Sequence, residues 1–320
     1  MLNICQVSLA RDIPIILENY KNFKKFYKAF KTFIICPNDE INEFKKKLKF
    51  KEINIINEES IISFEEFNKI FEELSHTVKY KDIFKKRLGW YYQQVLKLSF
   101  IIDFINLNKQ DITIWDADTV ILKKINFFKD RYSINYGTLF EFHKHYFKTN
   151  RSILGKQPSY FISSLVQFTS LSVVECKFLT DNIINFNLLK YKQKTSFQLS
   201  KIILENIFKN HKIYNGSLFS EYELVGISNY ILKKNKQKPL FTLRHGLDGK
   251  LTNYQVLLAR LLNIKHVTYE HTYLNKYSQG MLDRKQSWIN YIIILIKGLV
   301  KFNLRKLKHN LRFYYKVINE

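Results

Sequence analysis

The chain has 320 residues, 46% hydrophobic and 16% aromatic, with only 9 Gly and 4 Pro. That composition excludes a disordered or linker-rich protein and is enough for one large domain or two small ones. The formal net charge of +24 points to an anionic partner: nucleic acid, an anionic membrane or a phosphate-bearing substrate.

Asn3–Leu9 reads as a first strand rather than a signal peptide, followed by a polar turn at Arg11-Asp12. Residues 14–30 have helical spacing, Thr32–Cys36 is a second strand closed by Pro37, and 39–48 suit a short charged helix. Ile53–Ile56 is a third strand, 64–74 and 89–106 are helical by period, and 111–115 is a strand. Strand and helix alternate, so the expected fold class is α/β, with a mostly parallel central sheet flanked by helices. Ligands of such sheets bind beyond the carboxyl ends of the strands.

Further on, Ser133–Phe142 and Tyr160–Thr169 look like strands separated by a polar loop that contains His143 and His145. Residues 172–190 and 196–209 read as helices. Ser220–Lys234 is a helix that starts on a capping box of Ser220 and Glu223. Leu240–Leu243 is a short strand and 251–262 another helix. Cys5, Cys36 and Cys176 are odd in number and widely spaced, as expected of reduced thiols in the cytoplasm.

The chemistry concentrates at Trp115-Asp116-Ala117-Asp118-Thr119-Val120. An apolar run delivers two carboxylates to its end, and in an extended chain Asp116 and Asp118 share a side. Two like charges there need a cation, and a divalent ion bridged to a phosphate meets the need. One loop earlier, Trp90, Gln94 and Lys97 fall at i, i+4 and i+7 of a helix, so one face carries an aromatic plate, an amide and a cation. With Arg87 these groups suit a nucleoside diphosphate; an ordinary helix with Trp90 in the core and Lys97 in water has the same spacing.

Three segments, Gly89–Leu98, Trp115–Val120 and Phe219–Gly226, together resemble a family of bacterial glycosyltransferase-like proteins of the GT-A fold, over about residues 1–245. The resemblance implies a GT-A-like, Rossmann-related domain at 1–280, followed by a basic helical tail at 281–320. It implies that Asp116 and Asp118 hold Mn²⁺ or Mg²⁺ against the diphosphate of a nucleotide-sugar donor, with His245 as a further metal ligand. The implied reaction moves a sugar to a glycan or lipid-linked acceptor, in the synthesis of a bacterial surface polysaccharide such as lipopolysaccharide or capsule. Arg87, Trp90, Gln94 and Lys97 would meet the donor. Glu221 is either the general base of an inverting reaction or a first-turn acid set there by the helix dipole. A sugar nucleotidyltransferase is the alternative enzyme, but the loop after the first strand, Ser8–Asp12, lacks the glycines it would use. A non-enzymatic nucleic-acid-binding protein fits the charge alone, and no RNA-binding signature or zinc spacing accompanies it, so no nucleic acid is expected as a partner.

Between Arg284 and Glu320 stand nine Lys or Arg and one acidic residue. Ile289, Ile293, Ile296, Val300, Leu304, Leu307 and Leu311 form an apolar row beside Lys297, Lys301, Arg305, Lys308 and Arg312. Such a helix either lies on an anionic membrane, placing the protein on the inner face of the cytoplasmic membrane, or packs on the domain. If it lies on the membrane, removing 284–320 is expected to abolish sedimentation with anionic liposomes and leave a folded domain, since each basic residue contributes about 1 kcal/mol at such a surface. Earlier melting of the truncated protein, with no liposome binding by the full chain at low salt, would instead assign the helix to the core.

Overall fold

The computed structural model describes residues 1–76, 78–79, 81–137, 143–156, 164, 166–187, 194–211, 216–233, 238–240, 242–243 and 251–269. The expected alternation is present. Strand β1 (Leu2–Val7) leads through helix α1 (Ile13–Phe26) to β2 (Phe30–Cys36), then α2 (Ile41–Lys47) and β3 (Ile53–Asn57). Next come α3 (Phe64–Ser75), α4 (Lys81–Lys85), α5 (Leu88–Asn108), β4 (Ile112–Trp115) and β5 (Thr119–Ile121). Three two-residue strands follow, β6 (Phe128–Lys129), β7 (Tyr132–Ser133) and β8 (Tyr136–Gly137), then α6 (Lys144–Leu154), β9 (Phe168–Leu171), α7 (Val173–Asn182) and α8 (Thr195–Asn210). The described chain closes with α9 (Glu221–Lys233), β10 (Lys238–Pro239), β11 (Thr242–Leu243), α10 (Asn253–Leu261) and β12 (His266–Thr268).

The main sheet has the order β3-β2-β1-β4-β9. Its first four strands run parallel, and β9 closes the edge antiparallel to β4, pairing Trp115 with Phe168. All four residues of β4 are buried, as a strand covered on both faces requires. Ile13, Ile16, Ile34, Cys36 and Phe44 form the layer under α1 and α2. Cys5, Ile35, Ile112 and Ile114 face the opposite layer, which contains α5. Helix α5 is apolar almost all round, and thirteen of its 21 residues are buried, the signature of a helix inside a domain. It packs against β1, β4, α3, α7, α8 and α9.

A second sheet, β11-β12-β5, starts three residues after β4 ends. Strand β5 runs antiparallel to β12, with Thr119 opposite Thr268. The chain thus passes from the large sheet to the small one through residues 116–118.

Several elements differ from expectation. The helix expected over 172–190 stops at Asn182. Asn182 and Thr180 turn their side chains back onto carbonyls of their own helix, Asn185 takes a left-handed φ of 64°, and Asn favours such breaks. The strand expected over Ser133–Phe142 is two short pieces, and 138–142 lie outside the described residues. Residues 281–320, where a basic helix is expected, also lie outside them. Among the described residues, no helix is long and apolar enough to cross a membrane. All three cysteines are free, buried thiols.

One buried ion pair braces the β7–α7–α9 side. Glu175 accepts the Ser133 and Ser172 backbone N–H groups and pairs with Lys233, whose ammonium also donates to the Ser133 carbonyl at 2.7 Å. Lys233→Met would strand that carboxylate in the interior, so an unfolding titration should show a loss of about 3–5 kcal/mol; a change below 1 kcal/mol would mean that Glu175 is held by the amides alone.

Candidate active site

The face of α5 that carries Trp90, Gln94 and Lys97 packs against the start of α9. Trp90 Nε1 donates to the Phe219 carbonyl at 3.4 Å, and the ring stays 39% exposed. Gln94 is buried, and its Oε1 accepts the Glu221 backbone N–H at 3.0 Å. That N–H belongs to the first turn of α9, where no carbonyl of the helix can reach it, and Gln94 supplies the missing partner. Arg87 stands exposed just before α5.

The two aspartates do not prolong β4, as an extended reading of the segment expects. The strand ends at Trp115, and residues 116–119 form a turn closed by the Thr119 N–H on the Asp116 carbonyl at 3.1 Å. The turn is locked on three sides: Asp116 N–H donates to the Gln167 carbonyl, Tyr269 N–H donates to the Asp118 carbonyl, and Trp115 Nε1 donates to the Thr119 carbonyl. The small Ala117 is buried while Asp116 and Asp118 stay half-buried. Thr119 Oγ1 donates to Asp118 Oδ1 at 3.1 Å. The pair lies at the carboxyl end of β4 next to β1, where the strand order reverses, the usual place for a ligand in an open α/β sheet.

Lys97 joins the helix face to the turn. Its ammonium donates to Asp116 Oδ1 at 2.7 Å, to Glu221 Oε1 at 2.9 Å and to the Tyr222 hydroxyl at 3.4 Å. The Tyr222 hydroxyl in turn donates to the same Asp116 Oδ1. Burial pulls the ammonium's pKa down, and the Asp116 and Glu221 carboxylates outweigh it, so Lys97 stays charged above the usual lysine range. Burial pushes the Glu221 carboxyl up, against the pull of Lys97. Tyr222 is driven well above the usual tyrosine range by burial and then by Asp116 and Glu221. Beside this cluster, burial lifts the Cys5 thiol to about 12, with Lys97 opposing.

Two of the expected roles meet a different geometry. Lys97 is 5% exposed and has given all three N–H bonds to Asp116, Glu221 and Tyr222, so in this arrangement it is neither a phosphate contact nor a solvated lysine. Glu221 is fully buried, with Oε1 on Lys97 and, among the described residues, no hydrogen-bond partner on Oε2. A base must reach the hydroxyl it deprotonates, and Glu221 as placed does not meet solvent. Glu223 is also fully buried, and it accepts the Ser164 backbone N–H at 3.0 Å. His245 lies outside the described residues. Sequence reasoning missed Tyr222; its position beside Glu221 at a helix start was the only available signal.

Residues 9–286 match a family of unknown function, DUF6492, and the chain belongs to that family. No curated protein sequence matches it. Among solved structures the chain is similar to mouse xyloside xylosyltransferase 1 in its apo form, at 10% identity and TM-score 0.37, over 85% of this chain and 98% of that one. It is also similar to an active-site mutant of LgtC, at 8% identity and TM-score 0.38, over 91% of this chain and 100% of that one. A third similar structure is the bifunctional glycosyltransferase WbbM in its apo form, at 10% identity and TM-score 0.35, over 92% of this chain and 51% of that one.

Lys97→Met would leave Glu221 as a buried charge without its cation. Urea unfolding is expected to show a loss of about 3–5 kcal/mol. A change within about 0.5 kcal/mol, the range of ordinary surface substitutions, would contradict the buried pairing.

Proposed function

We propose that the protein is a metal-dependent glycosyltransferase that moves a sugar from a nucleotide-sugar donor to a glycan or lipid-linked acceptor. The observation that carries the reading is the Asp116–Asp118 turn at the carboxyl end of β4, held half-buried beside β1 with Asp116 gripped by Lys97 and Tyr222. The resemblance of the three segments that meet there to GT-A glycosyltransferases supports it.

The donor set fits a hard divalent cation. The site offers the half-buried carboxylate oxygens of Asp116 and Asp118, the ligand type such an ion prefers. Among the described residues, no three His, Cys, Asp or Glu side chains come together as a metal cluster. From the described residues, Asp116 and Asp118 would hold the ion together with phosphate oxygens and water, as Mg²⁺-type ions prefer. Bound there, a divalent ion acts as a Lewis acid that neutralises the departing diphosphate.

The chain's own residues set the stage for that step. Lys97 and Tyr222 fix the orientation of Asp116, and Thr119 fixes that of Asp118. The half-exposed Trp90 offers an aromatic face at the rim. Acceptor class and membrane association are proposed from the basic, apolar-striped sequence of residues 284–320.

A thermal-shift series with UDP, CMP and other nucleotides, with and without Mn²⁺, tests the reading, because a ligand that binds the folded state raises the melting temperature by mass action. The wild type is expected to show a shift that requires Mn²⁺, and Asp116→Asn and Asp118→Asn are expected to abolish it without loss of fold. Full Mn²⁺-dependent shifts in both variants would remove the carboxylate pair from the site.

A further inference from the structure

We propose that Glu221 and Tyr222 act through Lys97 and Asp116 as positioning residues for the metal-binding carboxylate, and that Glu221 is a charge-balancing group rather than the base. This rests on the reading that Asp116 and Asp118 bind a divalent ion.

Glu221 is fully buried, and among the described residues its Oε2 has no hydrogen-bond partner. A buried carboxylate with an oxygen left unsatisfied is unfavourable, so its charge needs a purpose within the cluster. Among the described residues its ionic partner is Lys97, whose ammonium is shared with Asp116. If Lys97 paired with Asp116 alone, the ion pair would be neutral and would offer little attraction to a second cation. With Glu221 on its other side, the ammonium is shared between two carboxylates, and it neutralises Asp116 less than it would alone. Glu221 thus restores part of the charge that Lys97 removes.

Orientation is the second half of the device. The Lys97 ammonium and the Tyr222 hydroxyl converge on the same oxygen, Oδ1 of Asp116. Two donors on one oxygen fix the plane of the carboxylate, and ligand carboxylates held by such outer partners bind metals more tightly. The hydroxyl adds no charge, so its contribution is separable from that of Glu221. Gln94 completes the arrangement by holding the Glu221 backbone N–H at 3.0 Å, which anchors the start of α9 on α5 and places both side chains.

The test is a Mn²⁺ titration of the full-length chain at fixed ionic strength, with free Mn²⁺ read by electron paramagnetic resonance and a melting curve taken for each protein. Glu221→Gln removes the charge and keeps the shape; Tyr222→Phe removes the grip and keeps the charge. Glu65→Gln removes an equal charge from an exposed position on α3 and serves as the control. Both site variants are expected to lose roughly 10–100-fold in Mn²⁺ affinity, the usual effect of removing a partner of a metal ligand, while the control matches the wild type. If Glu221→Gln fails to fold, Tyr222→Phe decides. Wild-type affinity in both site variants overturns this proposal and leaves the metal reading standing; if turnover of Glu221→Gln is also lost, the base role returns to Glu221. No Mn²⁺ binding by the wild type overturns the metal reading and this proposal with it.

Discussion

A lysine ammonium with almost no access to water must find its anions inside the protein, and Lys97 takes them from two different parts of the chain. Asp116 comes from the turn after β4 and Glu221 from the start of α9, 124 residues beyond Lys97. Losing either partner would leave a buried charge short of compensation, a defect that costs several kcal/mol. The pairing therefore ties the central helix, the end of the main sheet and the start of α9 into one unit. Bonds from the same helix face reinforce it, Gln94 to the Glu221 N–H and Trp90 to the Phe219 carbonyl.

Helix α5 is suited to this role by what surrounds it. Its apolar residues meet the sheet on one side and helices on the others, so a charged side chain midway along it cannot escape to solvent. The same burial that would be ruinous for an isolated lysine gives this one a single geometry. Every donor on Lys97 is used, on Asp116, Glu221 and Tyr222.

Much of the framework was legible in the residues. Strands β1 to β4 and helices α1, α3 and α5 follow from alternating apolar runs and their breakers, and their ends agree within a few residues. The stripe of Trp90, Gln94 and Lys97 was legible as one helix face, because spacing alone determines a face. What covers that face was not legible, because it is set by a segment more than 120 residues away in sequence. Hence spacing alone puts Lys97 in solvent or on phosphate, leaves Glu221 open as a base and does not single out Tyr222. The turn at 116–119 was hidden for a related reason: Asp-Ala-Asp fits an extended strand and a turn equally well, and the Thr119 N–H decides between them only once β5 leaves for the second sheet. The end of α7 at Asn182 is a local effect, where side chains compete with the backbone for its carbonyls.

The position of the turn between two sheets also explains why its aspartates remain half-exposed while Glu221 does not. On the main-sheet side, Asp116 N–H is taken by the Gln167 carbonyl; on the other, the Asp118 carbonyl is taken by Tyr269 N–H just after β12. The backbone of the turn is thus satisfied from both sheets, and its side chains need not bend back to cap it. Asp116 instead accepts from Lys97 and Tyr222 and Asp118 from Thr119, with Ala117 between them buried. Glu221 begins a helix whose first nine residues, Glu221 to Asn229, are all buried, and its carboxylate can only meet what the interior supplies. Two sets of carboxylates are thereby sorted by backbone position alone: one half in water, where a ligand can reach it, and one in the interior, where it can act only through Lys97.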